Sequence, residues 1–417
     1  MQLPLPRTIR AAACGTALLA VLVMAGGTPA SAAPPPPLPA EALAAGLQQV
    51  RDAGMPGVFA EVRDGKQVWR GARGYADVTT RRAMLPGFQH RIGSISKTFL
   101  ATTLLQLVGE GRLTLDAPFG DYLPEYAIDG VTVRMLLNHT SGIGDYDSVL
   151  FQSGEDIERI RSVTYPPDEV ARIGLGAPRT GAPGESYAYS NTNFVLAGLI
   201  LERVTGRPAA EEMTRRIIRP LGLYQTYFPA TSTTIVGPHS AGYIPWYDGE
   251  LRDFSEYNMS VFWGAGDVVS TSADLDTFFR ALLRGKLLEP AELAEMRTTV
   301  PMDPAFPDAA GYGLGLYWVT LPCGQVWGHD GLVFGHSTIS WHSPDGRRQA
   351  TIAENMTHYA LPGQPNPITD ATFEFLVTAL CGTPAPAPTA ARAAAAAVRP
   401  PWLTPVPGAP APTPSGR

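Results

Sequence analysis

Predicted β-strands cluster near both ends of this chain of 417 residues, and predicted helices fill the stretch between them. Near the start, the sequence predicts strands at 57–63 and 67–74, joined by a turn at Asp64-Gly65. Further strands are predicted late in the chain, at 313–320, 325–329, 336–343 and 349–354. Hairpins so far apart bury their apolar faces by joining in one antiparallel sheet with helices on its faces. We therefore predict an α+β fold, an α/β sandwich with a mostly helical insertion at about 116–250.

Residues 1–32 have the pattern of an export signal. Two arginines precede an apolar run at 11–26, and the small residues from Ala30 to Ala32 fit a cleavage site. The run is short for a transmembrane anchor, and no stop-transfer charges follow it. We therefore predict a signal peptide and a secreted protein without a stable membrane anchor.

The predicted folded domain covers 33–381, and the last segment, 382–417, is rich in alanine and proline. Such a segment cannot bury enough apolar surface to fold alone, so we predict that it is disordered. The net charge is −6 and no basic stripe is present, which excludes nucleic acid as an expected partner. We expect a monomer.

Two cysteines remain after removal of a signal peptide that contains Cys14. In an oxidising compartment Cys323 and Cys381 are expected to pair, tying the C-terminal helix to a strand of the sheet. The alternative is two separate buried thiols.

Lysine is rare in this chain, since only Lys66, Lys97 and Lys286 occur. Lys97 follows Ser94 by three residues near the start of a helix predicted at 96–109, so the two side chains share one face. A serine hydroxyl becomes nucleophilic when a nearby base takes its proton, and a buried lysine can be that base whereas arginine cannot. The pair therefore predicts a nucleophile and its base, although a Ser-x-x-Lys match alone occurs by chance in a chain of this length.

Tyr189 and Asn191 alternate on a predicted extended segment, so their side chains point the same way. A phenol beside a lysine ammonium ionises more easily and can relay protons, and an asparagine amide can orient the lysine and bind a substrate carbonyl. The structural alternative is that Ser190 and Asn191 cap the helix predicted at 193–204.

His329 lies two residues before Gly331 on a predicted strand. His329 would support the proton chemistry of the tyrosine, and the glycine would let a substrate backbone lie close against the strand. A lone His-x-Gly is almost always structural. His336 lies seven residues further on, but no third ligand has suitable spacing, so we expect no metal site.

In combination these motifs resemble the serine D-Ala-D-Ala carboxypeptidases and class C β-lactamases, and most closely the secreted actinobacterial carboxypeptidases. The resemblance extends from about Ala40 to Cys381. Its strongest stretches are RIGSISK at 91–97, LNHTSG at 137–142, YAYSNTNF at 187–194, GYGLGL at 311–316 and GHDG at 328–331. The two late cysteines are similar to a pair in that carboxypeptidase group.

The resemblance implies a β-lactamase/DD-peptidase-like fold and an acyl-enzyme mechanism, with D-alanyl-D-alanine carboxypeptidase activity on peptidoglycan peptides as the leading expectation. Ser94 would be acylated, and Lys97 and Tyr189 would move the protons. The backbone N–H groups of Ser94 and Leu332, beside Gly331, would form the oxyanion hole. Small peptides, β-lactams or esters are the implied substrates, and neither a metal nor an organic cofactor is implied.

Two departures from the carboxypeptidase pattern concern the substrate's terminal carboxylate. Carboxypeptidases of this type carry an arginine just after the Gly-Leu-Gly-Leu strand and hydroxyl residues around the His-x-Gly glycine. Here those positions hold Tyr317 and Trp318, then Asp330 and Leu332. An aspartate facing the site would repel a carboxylate, which favours an ester, an amide or a peptide without a free C-terminal carboxylate.

Aromatic residues are the candidates for an apolar cleft. Phe151 and Trp263 are the two we select, and Phe262, Tyr317 and Trp318 are further members. Packing in the core is the alternative for each of them. Only Phe151 falls where the resemblance places a phenylalanine that contacts substrate.

Two other functions remain open from the sequence. An esterase, amidase or β-lactamase would use the same scaffold with a changed leaving group. A penicillin-binding or wall-binding module with little catalysis would use the Pro/Ala tail as a spacer, although such a module has no need of the complete catalytic set.

Overall fold

One antiparallel sheet of nine strands forms the centre of the fold. The structure is a computed structural model that describes residues 37–246, 249–357 and 366–382. Its strands, in chain order, are β1 (Gly57–Asp64), β2 (Gln67–Asp77), β3 (Arg82–Ala83), β4 (His90–Arg91), β5 (Tyr243–Pro245), β6 (Leu251–Asp253), β7 (Val269–Ser270), β8 (Val300–Pro301), β9 (Ala310–Tyr312), β10 (Tyr317–Leu321), β11 (Gly324–Val333), β12 (His336–His342) and β13 (Arg348–Glu354).

The sheet is built from both ends of the described chain, as predicted. Its spatial order is β3-β2-β1-β13-β12-β11-β10-β9-β8, and β1 joins the late strands by pairing with β13. In that pair Val58 lies opposite Glu354. The short pairs β4–β7 and β5–β6 form separate two-stranded sheets. The prediction of one antiparallel sheet made by an early and a late group of hairpins is therefore confirmed.

Twelve α-helices and several single turns surround the sheet in the described residues. The helices are α1 (Ala40–Asp52), α2 (Ser96–Gly109), α3 (Val133–Leu137), α4 (Asp147–Leu150), α5 (Gly154–Arg159), α6 (Pro167–Gly176), α7 (Asn191–Thr205), α8 (Ala209–Met213), α9 (Arg219–Leu221), α10 (Ser272–Leu283), α11 (Pro290–Arg297) and α12 (Pro367–Cys381). A π-helical turn at Thr214–Ile218 joins α8 to α9.

Alternation along β13 shows how helices cover both faces of the sheet, since successive side chains of a strand point to opposite sides. Ala350 and Ile352 are buried in one apolar cluster with residues of α1 and α12. Gln349 and Thr351 face α10, where they hydrogen-bond to Asp276 at 2.7 Å and 2.8 Å. The sheet is thus the middle layer of a sandwich.

The region predicted as a helical insertion, at about 116–250, holds α3 to α9 and the short hairpin of β5 and β6. Its central helix is α7, whose first eight residues are all buried. This helix packs against α2, α3, α6 and α8. Because α2 also lies against α10, with the rings of Phe99 and Phe278 stacked at 3.8 Å, α2 connects the helical region to the sheet.

One predicted strand begins later than expected. The sequence predicts a strand at 313–320, but β10 begins at Tyr317 because the N–H of Gly313 donates to the carbonyl of Leu316 at 2.8 Å, which closes a tight turn. The predicted helix at 96–109 agrees with α2.

The two late cysteines lie next to each other, where the turn between β10 and β11 meets the end of α12. Their Cα atoms are 5.4 Å apart, within the range of disulfides. Cys381 ends α12 as expected, but Cys323 lies in the turn between β10 and β11 rather than in a strand.

Two predictions concern residues that the structure does not describe. The predicted signal peptide, 1–32, and all but the first residue of the predicted tail, 382–417, lie outside the described residues. Within the described ranges, no helix combines the length and the apolar character needed to cross a membrane.

Candidate active site

Ser94 lies where strand β11 meets the start of α2. It occupies a 3₁₀ turn, Gly93–Ile95, that runs directly into the helix. A Cβ atom on Gly331 would stand 1.9 Å from the Ile92 carbonyl oxygen and 2.8 Å from the nitrogen of Ser94. Only glycine permits this approach of two backbone segments.

The same approach brings the two predicted oxyanion groups together. A Cβ atom on Gly93, whose φ is +52°, would lie 2.7 Å from the nitrogen of Leu332. The backbone nitrogens of Ser94 and Leu332 therefore both lie at the contact between Gly93 and Gly331. Two backbone N–H groups at such a place can hold the negative oxygen of a tetrahedral intermediate.

Lys97 is fully buried and its Nζ atom has three partners. It donates to Ser94 Oγ at 2.9 Å, to Asn191 Oδ1 at 2.7 Å and to the carbonyl oxygen of Ala265 at 2.7 Å. The spacing of Ser94 and Lys97 on one helical turn accounts for the first contact. The Ala265 carbonyl was not found from the sequence, because a backbone oxygen leaves no signal in residue identities.

Burial lowers the pKa of Lys97 to about 7, because removing an ammonium from water disfavours its charged form. Nearby carboxylates act in the opposite direction, those of Asp145, Asp147, Asp330 and Asp267. The desolvation effect is the larger one. Near neutral pH a substantial share of Lys97 is therefore uncharged and able to accept the proton of Ser94.

The Tyr189 hydroxyl donates to Ser94 Oγ at 2.8 Å. Burial raises the pKa of Tyr189 well above its usual value of 10.0, more than the hydrogen bond to Ser94 lowers it. The expectation that the neighbouring lysine would make this phenol ionise more easily is therefore wrong. Tyr189 is a protonated donor near neutral pH.

His139, within the LNHTSG stretch, is a buried support for Tyr189. Its ring lies 4.2 Å from the Tyr189 ring, between centroids. Its Nδ1 accepts from the N–H of Ser190 at 3.2 Å, and its carbonyl accepts from Ala188 at 2.8 Å. Its φ of +58° is uncommon for a residue other than glycine and often marks a functional position. The ring and the two bonds hold the segment that carries Tyr189.

Asn191 is the first residue of α7 rather than part of the predicted extended segment. Ser190 is the residue before the helix, but its hydroxyl donates to the carbonyl of Gly144 at 2.9 Å instead of capping α7. The Asn191 side-chain NH₂ donates to Asp145 at 3.1 Å and to Asp147 at 3.0 Å. These bonds fix the amide so that its oxygen faces Lys97.

The two aspartates behind Asn191 were missed by the sequence interpretation. Burial raises the pKa of Asp145 and, more strongly, of Asp147, whose charge is also opposed by Asp145. Burial likewise raises the pKa of Asp267, which lies on another segment, to about 7. The only signal was the repeated Asp in GIGDYD, which directly follows the LNHTS stretch.

His329 lies in β11 and its Nε2 atom is 2.8 Å from the hydroxyl of Tyr312, not of Tyr189. Its ring contacts that of Tyr317, with centroids 5.1 Å apart. Burial lowers the pKa of His329 to about 3, so the imidazole is neutral. His329 is thus connected to Tyr189 indirectly, through Tyr312. The ring centroid of Tyr312 lies 6.4 Å from that of Tyr189.

The predicted cleft aromatics lie on segments next to the catalytic group. Phe151 directly follows α4, the helix that begins with Asp147, and its ring meets that of Phe334 edge-on at 5.2 Å. Trp263 is two residues before Ala265, and its ring lies over Gly198 of α7. Both aromatic side chains are half-buried. Both make packing contacts, as expected if they belong to the core rather than to a substrate cleft.

The described residues contain no group of three His, Cys, Asp or Glu side chains arranged to hold a metal ion. His336 is buried against His90, with ring centroids 4.4 Å apart.

The fold and this arrangement of Ser94, Lys97 and Tyr189 define a serine hydrolase of the β-lactamase type. The Beta-lactamase family model matches residues 40–372. The chain therefore belongs to the Beta-lactamase family.

Several relatives act on D-amino acid derivatives, according to their names. A D-stereospecific amidohydrolase from a Streptomyces species is 36% identical with a TM-score of 0.74, over 82% of this chain and 99% of that one. The D-amino acid amidase from Ochrobactrum anthropi SV3 is 26% identical with a TM-score of 0.72, over 82% and 98%. A D-aminopeptidase from Brucella anthropi is 31% identical over 310 residues, which cover 72% of this chain but only 56% of that protein. The chain thus spans little more than half the length of that relative.

Proposed function

We propose that this protein is a serine hydrolase that cleaves amide bonds of D-amino acid derivatives through an acyl-enzyme on Ser94. The observation that carries the proposal is the buried Lys97, whose Nζ lies 2.9 Å from Ser94 Oγ and whose pKa is lowered to about 7. The names of the amidohydrolase and the amidase support the amide bond and the D configuration.

Acylation follows from the positions of the three side chains. Neutral Lys97 accepts the Ser94 proton while Oγ bonds to the substrate carbonyl carbon, whose oxygen becomes negative between the Ser94 and Leu332 N–H groups. The intermediate collapses by breaking the C–N bond. Tyr189 gives its proton to the leaving amine and recovers one from Lys97, which restores both groups.

Deacylation reverses these roles with water as the nucleophile. Neutral Lys97 is the base for this step: Tyr189 passes its proton to Lys97 as it takes one from the water, whose oxygen bonds to the acyl carbon. The ester bond to Ser94 Oγ then breaks, and the serine oxygen regains a proton from Lys97. The products are the D-amino acid and the free enzyme.

A D-Ala-D-Ala carboxypeptidase, the leading expectation from the sequence, is the second candidate, because the same catalytic group serves it. Against it stands the charge of Asp330. Asp330 has a partly exposed side chain beside the oxyanion groups, in a place where such carboxypeptidases use hydroxyl residues. A carboxylate on the substrate would be repelled there.

Initial rates on three substrates separate the candidates. We expect efficient release of ammonia from D-alaninamide, slow release from L-alaninamide, and little D-alanine from an N-acyl-D-Ala-D-Ala peptide. Faster cleavage of the acylated dipeptide than of D-alaninamide would identify a carboxypeptidase instead. Hydrolysis of none of the three would reject the proposed function.

We also propose that the protein is exported and that Cys323 forms a disulfide with Cys381. The signal-like segment 1–32 and the Cα–Cα distance of 5.4 Å support this. In the chain-entropy model, a bridge over 58 residues contributes about 4 kcal/mol to the free energy of unfolding.

Thiol titration tests the disulfide. We expect no titratable thiol in mature, unreduced, denatured protein, two after reduction, and a lower Tm in reductant. A Cys323→Ala variant should show one thiol without reduction and no further change of Tm in reductant. Two thiols in the unreduced wild type would refute the bridge, and a mature N-terminus before residue 32 would contradict the cleavage.

A further inference from the structure

Asp330 is a carboxylate in the active site that the catalytic steps do not use. It lies in β11 between His329 and Gly331, and Gly331 is in close backbone contact with Ser94. The Asp330 charge acts on Lys97 and raises the pKa of Tyr189. Asp330 therefore adjoins, along β11, the glycine that contacts Ser94.

The acidic groups around Lys97 differ in their access to solvent. Asp147 and Asp267 are buried. Asp145 is half-buried, and its carboxylate accepts hydrogen bonds from the backbone and side-chain N–H groups of Asn191 and from the N–H of Asp147. The side chain of Asp330 is 24% exposed, so its carboxylate can be approached from solvent beside Gly331.

The carboxylate is held in place by its neighbours. Its side chain accepts a hydrogen bond from Tyr317, whose hydroxyl in turn accepts from the Trp341 ring N–H at 2.9 Å. One Asp330 oxygen lies 3.8 Å from Nδ1 of His329. These contacts orient the carboxylate.

We propose that Asp330 binds the ammonium group of the substrate, so that the enzyme selects amides and peptides with a free, positively charged amino group beside the scissile carbonyl. This deepens the proposed function and rests on it. An ammonium has three donors and no acceptor, and it forms strong charge-assisted hydrogen bonds with a carboxylate. The surrounding carboxylates add an attractive field for a cation and a repulsive one for an anion.

A purely structural role is the competing explanation, in which Asp330 only holds Tyr317. The two explanations differ in their substrate dependence. Loss of a structural support would slow all substrates alike, whereas loss of an ammonium site would slow only those with a free amine.

The test compares kcat/KM for D-alanine p-nitroanilide and N-acetyl-D-alanine p-nitroanilide, which release the same chromophore. We expect wild-type protein to prefer the free amine at least about tenfold. Asp330→Asn keeps the shape of the side chain and removes its charge. It should lower kcat/KM for the free amine by about 10- to 100-fold, mainly through KM, and change the acetylated substrate less than about threefold.

Two further variants serve as controls. Asp129→Asn removes an equal charge from an exposed loop and should leave both substrates unchanged. Tyr317→Phe removes the phenol that contacts Asp330 but keeps the carboxylate, so the preference for the free amine should persist.

The outcomes separate this inference from the proposed function. Equal losses on both substrates in Asp330→Asn, or a wild-type preference for the acetylated substrate, would overturn the ammonium site while leaving D-amidase activity intact. The wild-type preference is measurable whether or not the variant folds. Wild-type protein that cleaves neither anilide nor D-alaninamide would instead reject the proposed function.

Discussion

Replacement of Ser94 by alanine is expected to lower kcat on D-alaninamide by about ten-thousand-fold or more while the protein stays folded. The hydroxyl accepts hydrogen bonds from both Lys97 and Tyr189, so its removal leaves no atom to carry the acyl group. The change deletes one atom in the turn that precedes α2, and circular dichroism and Tm should remain close to the wild-type values.

Ser232→Ala is a matched control, because it removes the hydroxyl of an exposed loop serine and should retain full activity.

Intact-mass analysis after incubation with a penicillin provides a second test of the nucleophile. An adduct that peptide mapping places on Ser94 in wild-type protein, and that is missing in Ser94→Ala, would identify the nucleophile directly. Normal turnover by Ser94→Ala protein would remove the mechanism altogether.

Lys97→Met is expected to lower kcat/KM by roughly a thousandfold or more, because methionine has a similar length but cannot accept the Ser94 proton. The variant also ends the hydrogen bonds to Asn191 and to the Ala265 carbonyl. Lys286→Met provides the control, since it removes an exposed lysine and should leave kcat/KM unchanged. Activity of Lys97→Met within tenfold of wild type would exclude the lysine as the base.

The pH dependence of wild-type protein follows from the same residue. The uncharged form of Lys97 is the active one, so kcat/KM should rise about tenfold per pH unit on the acidic side and level off above about 7. Because the buried carboxyls of Asp145 and Asp147 interact with Lys97, the midpoint belongs to the group rather than to one residue. A profile that is flat between pH 5 and pH 8 would contradict a proton-accepting lysine.

Local geometry explains which parts of the site were predictable. Ser94 and Lys97 are three residues apart on one helix, so their contact is set by the helical repeat. Gly331 was expected to let a substrate backbone lie close to the strand, whereas in the structure it lies against the backbone of Ile92 and Ser94. The early and late hairpins likewise predicted the sheet, because an unpaired hairpin leaves its apolar face in water.

Contacts between distant segments account for what was missed. The Ala265 carbonyl that binds Lys97 lies 168 residues further along the chain, and a carbonyl is common to every residue. Asp145, Asp147 and His139 act through Asn191 and Tyr189, so their importance appears only after the segments are brought together. The pairing of His329 in β11 with Tyr312 in β9 spans the intervening strand β10, so it depends on the register of three strands.

The sequence by itself determined the family, the central antiparallel sheet and the candidate catalytic side chains, because each of these rests on short-range spacing or on which residue types can do the chemistry. Only the tertiary structure decided the protonation states. Burial makes Lys97 a base and keeps Tyr189 protonated, and burial is a property of the whole fold. The tertiary structure also leaves the side chain of Asp330 24% exposed next to the glycine that contacts Ser94, and this exposure is the basis for the predicted choice of a cationic substrate.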